Sequence, residues 1–179
     1  MFSITVGPYT LSCHPDLLPD LMYGSYVEHA GLVEEFDLEN SDGKSCCLTI
    51  SRGVEWPFLV VAQRYDPSGG FHPGALLVPE TDLLFIGAGE RLLAYRLAGP
   101  TRLWMDSTHC GFWGWARHGD RVVLSAELEL AAWDIHGRKC WSTHVEPPWS
   151  YRVSGKLVEV DVMGTKSSFP LDAGPPGQY

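Results

Sequence analysis

Basic residues are scarce in this chain: 13 Lys and Arg stand against 22 Asp and Glu, a net charge of −9 over 179 residues. Phosphate contact needs clustered Lys and Arg, and no segment supplies a cluster, so a nucleic-acid-binding surface is excluded. No run approaches the ~20 apolar residues of a membrane span. The opening Met-Phe-Ser-Ile-Thr-Val-Gly has neither the basic flank nor the long apolar stretch of a signal peptide, and the expected location is the cytoplasm. The five cysteines, Cys13, Cys46, Cys47, Cys110 and Cys140, are odd in number and show no Cys-x-x-Cys spacing. Neither a disulfide framework nor a zinc knuckle is indicated, and reduced thiols are expected. Gly-x-Ser-x-Gly, a phosphate loop, a dinucleotide fingerprint and a zinc-protease helix are all missing. No cofactor and no metal are expected, and the balance leans away from an enzyme.

What charge there is falls unevenly. Residues 1–75 hold three bases and ten acids (3 − 10 = −7), and residues 76–179 hold ten bases and twelve acids (10 − 12 = −2). Six carboxylates, Glu28, Glu34, Glu35, Asp37, Glu39 and Asp42, run without a base among them. Such a stretch serves as a solvated face or as a patch that attracts a basic partner.

Helical periodicity is also rare. Leu17, Leu18, Leu21 and Met22 have it, but Pro15 and Pro19 confine the expected helix to a turn or two. Most other segments alternate with period two. Residues 31–38 and 46–51, on either side of Asn40-Ser41-Asp42-Gly43, read as a hairpin, and Phe58–Tyr65 reads as a further strand. Asp66 to Gly74 reads as a loop.

The second half repeats itself. Leu84-Phe85-Ile86 and Ala94-Tyr95-Arg96 recur as Val122-Val123-Leu124 and Ala132-Trp133-Asp134, 38 residues on, each after a turn ending in Asp82 or Asp120. Leu103-Trp104 and Cys140-Trp141 close the two units. A degenerate third copy runs from Leu157 through a turn at Gly164-Thr165 to Leu171. A period near 38 with three or four strands per unit describes a blade-like β-meander. The stretch Leu-Phe-Ile-Gly-Ala-Gly-Glu-Arg-Leu-Leu-Ala-Tyr-Arg-Leu, with its Arg-Leu-Trp, resembles the blade repeat of quinoprotein-like β-propellers, as does Asp-Ile-His-Gly-Arg-Lys-Cys-Trp. The resemblance covers about 75–171 and implies a fold; no quinone-site residues match. Too few copies are present to close a ring of blades. The expected architecture is therefore all-β, one domain over 1–172, with antiparallel meanders in an open or incomplete propeller-like arrangement and a flexible tail at 173–179.

Several residue groups invite a chemical reading. Asp37 to Leu48 suggests a calcium loop but has Asp42 and Leu48 where the loop needs Gly and Glu. His136, Cys140 and His144 are spaced by four, and on a strand that separates side chains by ~13 Å, too far for one metal. Asp66, Ser68 and His72 share one Gly- and Pro-rich loop, which preorganises no triad. Trp113 and Trp115 flank Gly114 and should project from one strand face, where, with Trp149 and Tyr151 at the rim, they would stack a sugar or anchor a protein. Sheet-to-sheet packing is the alternative use of such rings. Three functions follow: a non-enzymatic protein-binding role, such as an immunity-type inhibitor or scaffold for a basic protein; a carbohydrate or small-ligand module; and an enzyme built from distant strands around His72, His109, Cys110 and His118.

Overall fold

The computed structural model describes residues 2–39, 42–67 and 71–176. Its first sheet contains β1 (Phe2–Val6), β2 (Tyr9–His14), β3 (Leu32–Phe36), β4 (Lys44–Arg52) and β5 (Leu59–Tyr65), in the order β1-β2-β4-β5-β3. Helix α1 (Asp20–His29) lies between β2 and β3 in the chain. Three meanders follow. The second sheet is β6 (Gly74–Val78), β7 (Leu83–Ala88), β8 (Arg91–Arg96) and β9 (Thr101–Ser107). The third is β10 (Phe112–His118), β11 (Arg121–Ala126), β12 (Glu129–Asp134) and β13 (Lys139–His144). The fourth is β14 (Trp149–Ser154), β15 (Leu157–Val162) and β16 (Thr165–Pro170).

The repeat is structural. β7 and β8 return as β11 and β12 with every boundary displaced by 38 residues. Gly7, Gly89, Gly119 and Gly155 each open a two-residue hairpin turn with φ between 57 and 61°. A side chain is strained at such a φ, so glycine sets the tight turn that keeps the strands in register. The last turn differs from expectation: its central pair is Met163-Gly164, both with positive φ, rather than Gly164-Thr165.

The four sheets stack in sequence order. Leu11, Leu48 and Val61 of the first face Leu84, Ile86 and Leu93 of the second. Leu83, Phe85 and Leu92 point the other way, onto Phe112, Leu124 and Trp133 of the third. Val123, Leu130 and Trp141 then meet Val158, Val160 and Phe169 of the fourth. β7 is buried on both faces, which is why it reads as an apolar run instead of an alternation. Among the described residues no core joins the fourth sheet back to the first, so the arrangement is an open arc.

Its ends are finished differently. On the outer side of the fourth sheet, β15 turns Leu157 and Glu159 to solvent while Val158 and Val160 go inward. The outer side of the first sheet is covered by α1 and the segment before it: Leu18, Tyr23 and Tyr26 lie on Cys47, Val60 and Ala62.

Three expectations require correction. β3 and β4 are not a hairpin. β4 is buried on both faces and takes the sheet centre between β2 and β5, while β3, carrying Glu34 and Glu35, pairs parallel with β5 at an edge. The expected turn residues Asn40 and Ser41 lie outside the described residues. The helix has ten residues rather than one or two turns, because Pro19 stands at its N-cap, where a missing N–H and fixed φ are harmless. The tail is anchored further along than expected: Gly174 packs on Trp141 so closely that a Cβ would lie 2.6 Å from the indole. Residues 177–179 lie outside the described residues.

Candidate functional site

Trp113 and Trp115 do not share a face. The pairing of β10 with β11 steps from Phe112↔Ala126 to Gly114↔Ser125, leaving Trp113 as the extra residue of a bulge. One inserted residue reverses the alternation. Trp115 consequently packs with Phe85, Phe112 and Trp133 between the second and third sheets. Trp113 goes into the opposite seam and stacks on Trp149 at 5.0 Å and 13°. Trp149 is buried and donates its indole N–H to the Glu127 carbonyl at 2.9 Å, with Tyr151 beside it. Three of the four rings expected to form a stacking platform thus meet, but within a seam.

The acidic run is divided among internal partners. Glu34 accepts the Tyr95 hydroxyl proton at 2.6 Å and pairs with Arg102 at 3.0 Å. The Tyr95 hydroxyl is held well above its ordinary pKa, first by burial and then by this carboxylate. Glu35 accepts from Tyr23, and Asp37 pairs with Arg91. Glu28 stands exposed on α1, and Glu39 and Asp42 are exposed beyond β3.

Asp37 is also where the acidic run meets a groove of about 800 Å³ formed by the same ends of the first three sheets. Its frame is backbone: Phe112 N–H donates to the Gly89 carbonyl at 2.7 Å, Thr108 N–H to that of Glu90 at 2.9 Å, and Glu127 N–H to that of Gly111 at 3.0 Å. Four carboxylates, Asp37, Asp66, Glu90 and Glu127, line it with two guanidiniums, Arg64 and Arg91, so the lining carries 2 − 4 = −2. Arg91 is held by Asp37, by the Gln63 Oε1 at 3.4 Å and by the Arg64 carbonyl at 3.3 Å, and lies 4.8 Å over the Phe36 ring. The carboxylates of Glu90 and Glu127 take no hydrogen bond or ion pair among the described residues. Tyr65, Phe71 and Trp113 supply the aromatic wall; Phe71 leans on Trp113 at 5.3 Å and stays 41% exposed. An adjoining depression adds Asp42 and Lys44.

Glu90, Glu127, Arg64, Arg91 and Phe71 are functional candidates that reading the sequence did not find, and Asp66 stood out there only beside Ser68 and His72. One signal was available: at the 38-residue displacement Gly89 maps onto Glu127, so both turns fall at the same end of successive sheets.

The catalytic candidates do not converge. Cys110, held at φ 61°, lines the groove with Asp66, whereas His118 lies in a separate depression with Asp120, Lys156 and Asp172. Burial holds the His118 imidazole below its ordinary pKa. His72 and His109 are exposed, and Ser68 lies outside the described residues. His136 sits in the β12–β13 turn, with Cys140 and His144 on β13. Among the described residues no group of three metal-ligating side chains comes together.

No protein-family model and no curated protein matches the sequence. Among solved structures, Hsv2 of Kluyveromyces lactis aligns with 57% of this chain and 33% of its own length, at 12% identity and a TM-score of 0.34. BamB from Moraxella catarrhalis aligns with 68% of this chain and 36% of its own, at 9% identity and a TM-score of 0.42. Both are β-propellers, and this chain spans about a third of the length of each. The likeness concerns the succession of small antiparallel sheets.

Proposed function

We propose that this is a non-enzymatic cytoplasmic binding protein acting through protein–protein contact, and that its groove receives a basic segment of the partner. The unpaired carboxylates of Glu90 and Glu127, set beside the Phe71–Trp113 wall on a hydrogen-bonded frame, carry this reading. Carboxylates attract Lys and Arg, and an aromatic face adds cation–π attraction while covering the aliphatic stem. The net charge of −9 steers a basic protein toward the surface before contact. An inhibitor or scaffold that seizes a basic protein, as small acidic immunity-type proteins do, fits this balance. The five free cysteines suit a reducing compartment.

Calorimetric titration of an Arg- and Lys-rich decapeptide tests the reading. Affinity should drop steeply between about 50 and about 500 mM salt, as exposed charges are screened. Glu90→Lys with Glu127→Lys should weaken binding by about tenfold or more. Equal affinity in the double variant sinks the proposal.

A further inference from the structure

Helix α1 leaves Leu21, Met22 and Val27 in solvent. Its inward line is aromatic, with Tyr23 and Tyr26 on the sheet, and none of its ten residues is fully buried. Helical geometry turns Leu21 and Glu28 directly outward, with Met22 and His29 on one flank and Val27 on the other. Leu21 is 90% exposed. On the Met22 flank, Trp56 from the β4–β5 loop stacks on His29 at 4.6 Å and meets Tyr26 edge-on at 6.0 Å, remaining 52% exposed. Leu17 and Val54 are exposed just before the helix and on the Trp56 loop. Among the described residues twelve large apolar side chains stand exposed, and six of them, Leu17, Leu21, Met22, Val27, Val54 and Trp56, lie on this helix and the segments beside it. A surface helix ordinarily directs charge outward, and an apolar cluster of this kind marks a contact surface.

Gly24 supports the same conclusion. It lies in mid-helix beside the Leu21 line, and a Cβ there would meet nothing within 4 Å. Glycine weakens a helix relative to alanine, and no neighbour in the fold requires it. A closely approaching partner would.

The charges around the cluster select the partner. Asp16, Asp20, Glu28 and Glu55 are exposed at its edge, and no Lys or Arg occurs from residue 15 to residue 43. A second copy meeting this surface by two-fold symmetry would set carboxylates against carboxylates. An anionic membrane would be repelled likewise. We propose that the outward face of α1, together with Trp56, docks a partner protein whose apolar contact surface is edged with Lys and Arg. This surface shares no residue with the groove and does not depend on the groove's role.

Two amphipathic 18-residue helical peptides, one of Leu and Lys and one of Leu and Glu in the same pattern, are titrated into the full chain by calorimetry. The Leu/Lys peptide should bind about tenfold or more tightly than the Leu/Glu peptide. Leu21→Asp and Trp56→Ala should each weaken it about tenfold, as loss of an interface anchor does, while Glu90→Lys with Glu127→Lys leaves at least half the affinity. Gly24→Ala should weaken the peptide while raising the melting temperature. Equal binding of the two peptides, no effect of Leu21→Asp in a chain with unchanged circular dichroism, or loss confined to the groove variant overturns the proposal. A dimer in sedimentation that Leu21→Asp dissolves overturns it in favour of a second copy.

Discussion

Trp104 donates its indole proton to the carbonyl of Gly137 at 2.6 Å, across the seam between the second and third sheets. One sheet further on, Trp141 does the same to Leu171 at 2.7 Å. Both stand opposite an alanine, Ala94 and Ala132, immediately before a register shift in the pairing. The two tryptophans are the same part used twice: a ring that fills the seam and an N–H that ties it to the next sheet.

Replacing either by phenylalanine keeps most of the apolar contact and removes the bond. Trp141→Phe should lose about 1–3 kcal/mol, because its buried carbonyl partner is left unsatisfied. Trp104, only half-buried, should lose about 1 kcal/mol. Urea unfolding measures both, and equal stability in all three proteins would refute the shared role.

Glu34 and Tyr95 allow a test of asymmetry. Tyr95→Phe removes one donor but leaves Glu34 with Arg102, for a loss of about 1 kcal/mol. Glu34→Ala strands a wholly buried hydroxyl and should cost about 1–3 kcal/mol. The reverse order would mean that Tyr95 matters by packing alone.

Acid should loosen the fold before the carboxylates titrate. Burial holds His14 and His118 below their ordinary value of 6.5. Because both pKa values are depressed, the unfolded chain takes up these protons at higher pH than the folded one. Their contribution is complete above 6.5 and declines as pH falls toward the lower folded values. Each proton limits the slope to about 1.4 kcal/mol per pH unit. The urea midpoint should drop between about pH 7.5 and about pH 5.5, and drop less in a chain with His14→Gln and His118→Gln. An unchanged slope in that variant would assign the acid sensitivity elsewhere.

Thiol chemistry should single out Cys110. It is exposed, Cys140 is half-buried, and burial pushes Cys13 up and the Cys46 and Cys47 thiols up to about 12. A disulfide reagent at neutral pH should label Cys110 first, and reach Cys13, Cys46 and Cys47 only with unfolding. Mass mapping of the labelled peptides decides.

The meanders were legible because their information is local. Gly89, Gly119 and Gly155 set their own turns, and the spacing from Asp82 to Asp120 carries a whole sheet with it. Trp113 was misread because a single bulged residue reverses a face without leaving any trace in the alternation. Leu17, Leu18, Leu21 and Met22 carry the helical spacing, yet of these four only Leu18 is buried, and tyrosines occupy the inner face of α1. The acidic run looked unpaired because Arg91 and Arg102 enter 54 and 68 residues after Asp37 and Glu34. The groove combines segments near residues 37, 65, 90, 111 and 127, and only the repeat relation between Gly89 and Glu127 hints at it.

An arc without closure has a direction in which it comes apart. A closed ring would give every sheet two neighbours, whereas here, among the described residues, the fourth rests on the third alone and has three strands to contribute. Such a stack behaves as a short one-dimensional array, able to shed an end while its middle persists. Amide protons of β14, β15 and β16 should exchange with solvent ahead of those in β7, β8, β11 and β12, whose sheets are clasped from both sides. Drawn out by its carboxyl end, the molecule should yield in steps, one sheet at a time, with the helix-covered first sheet the last to let go.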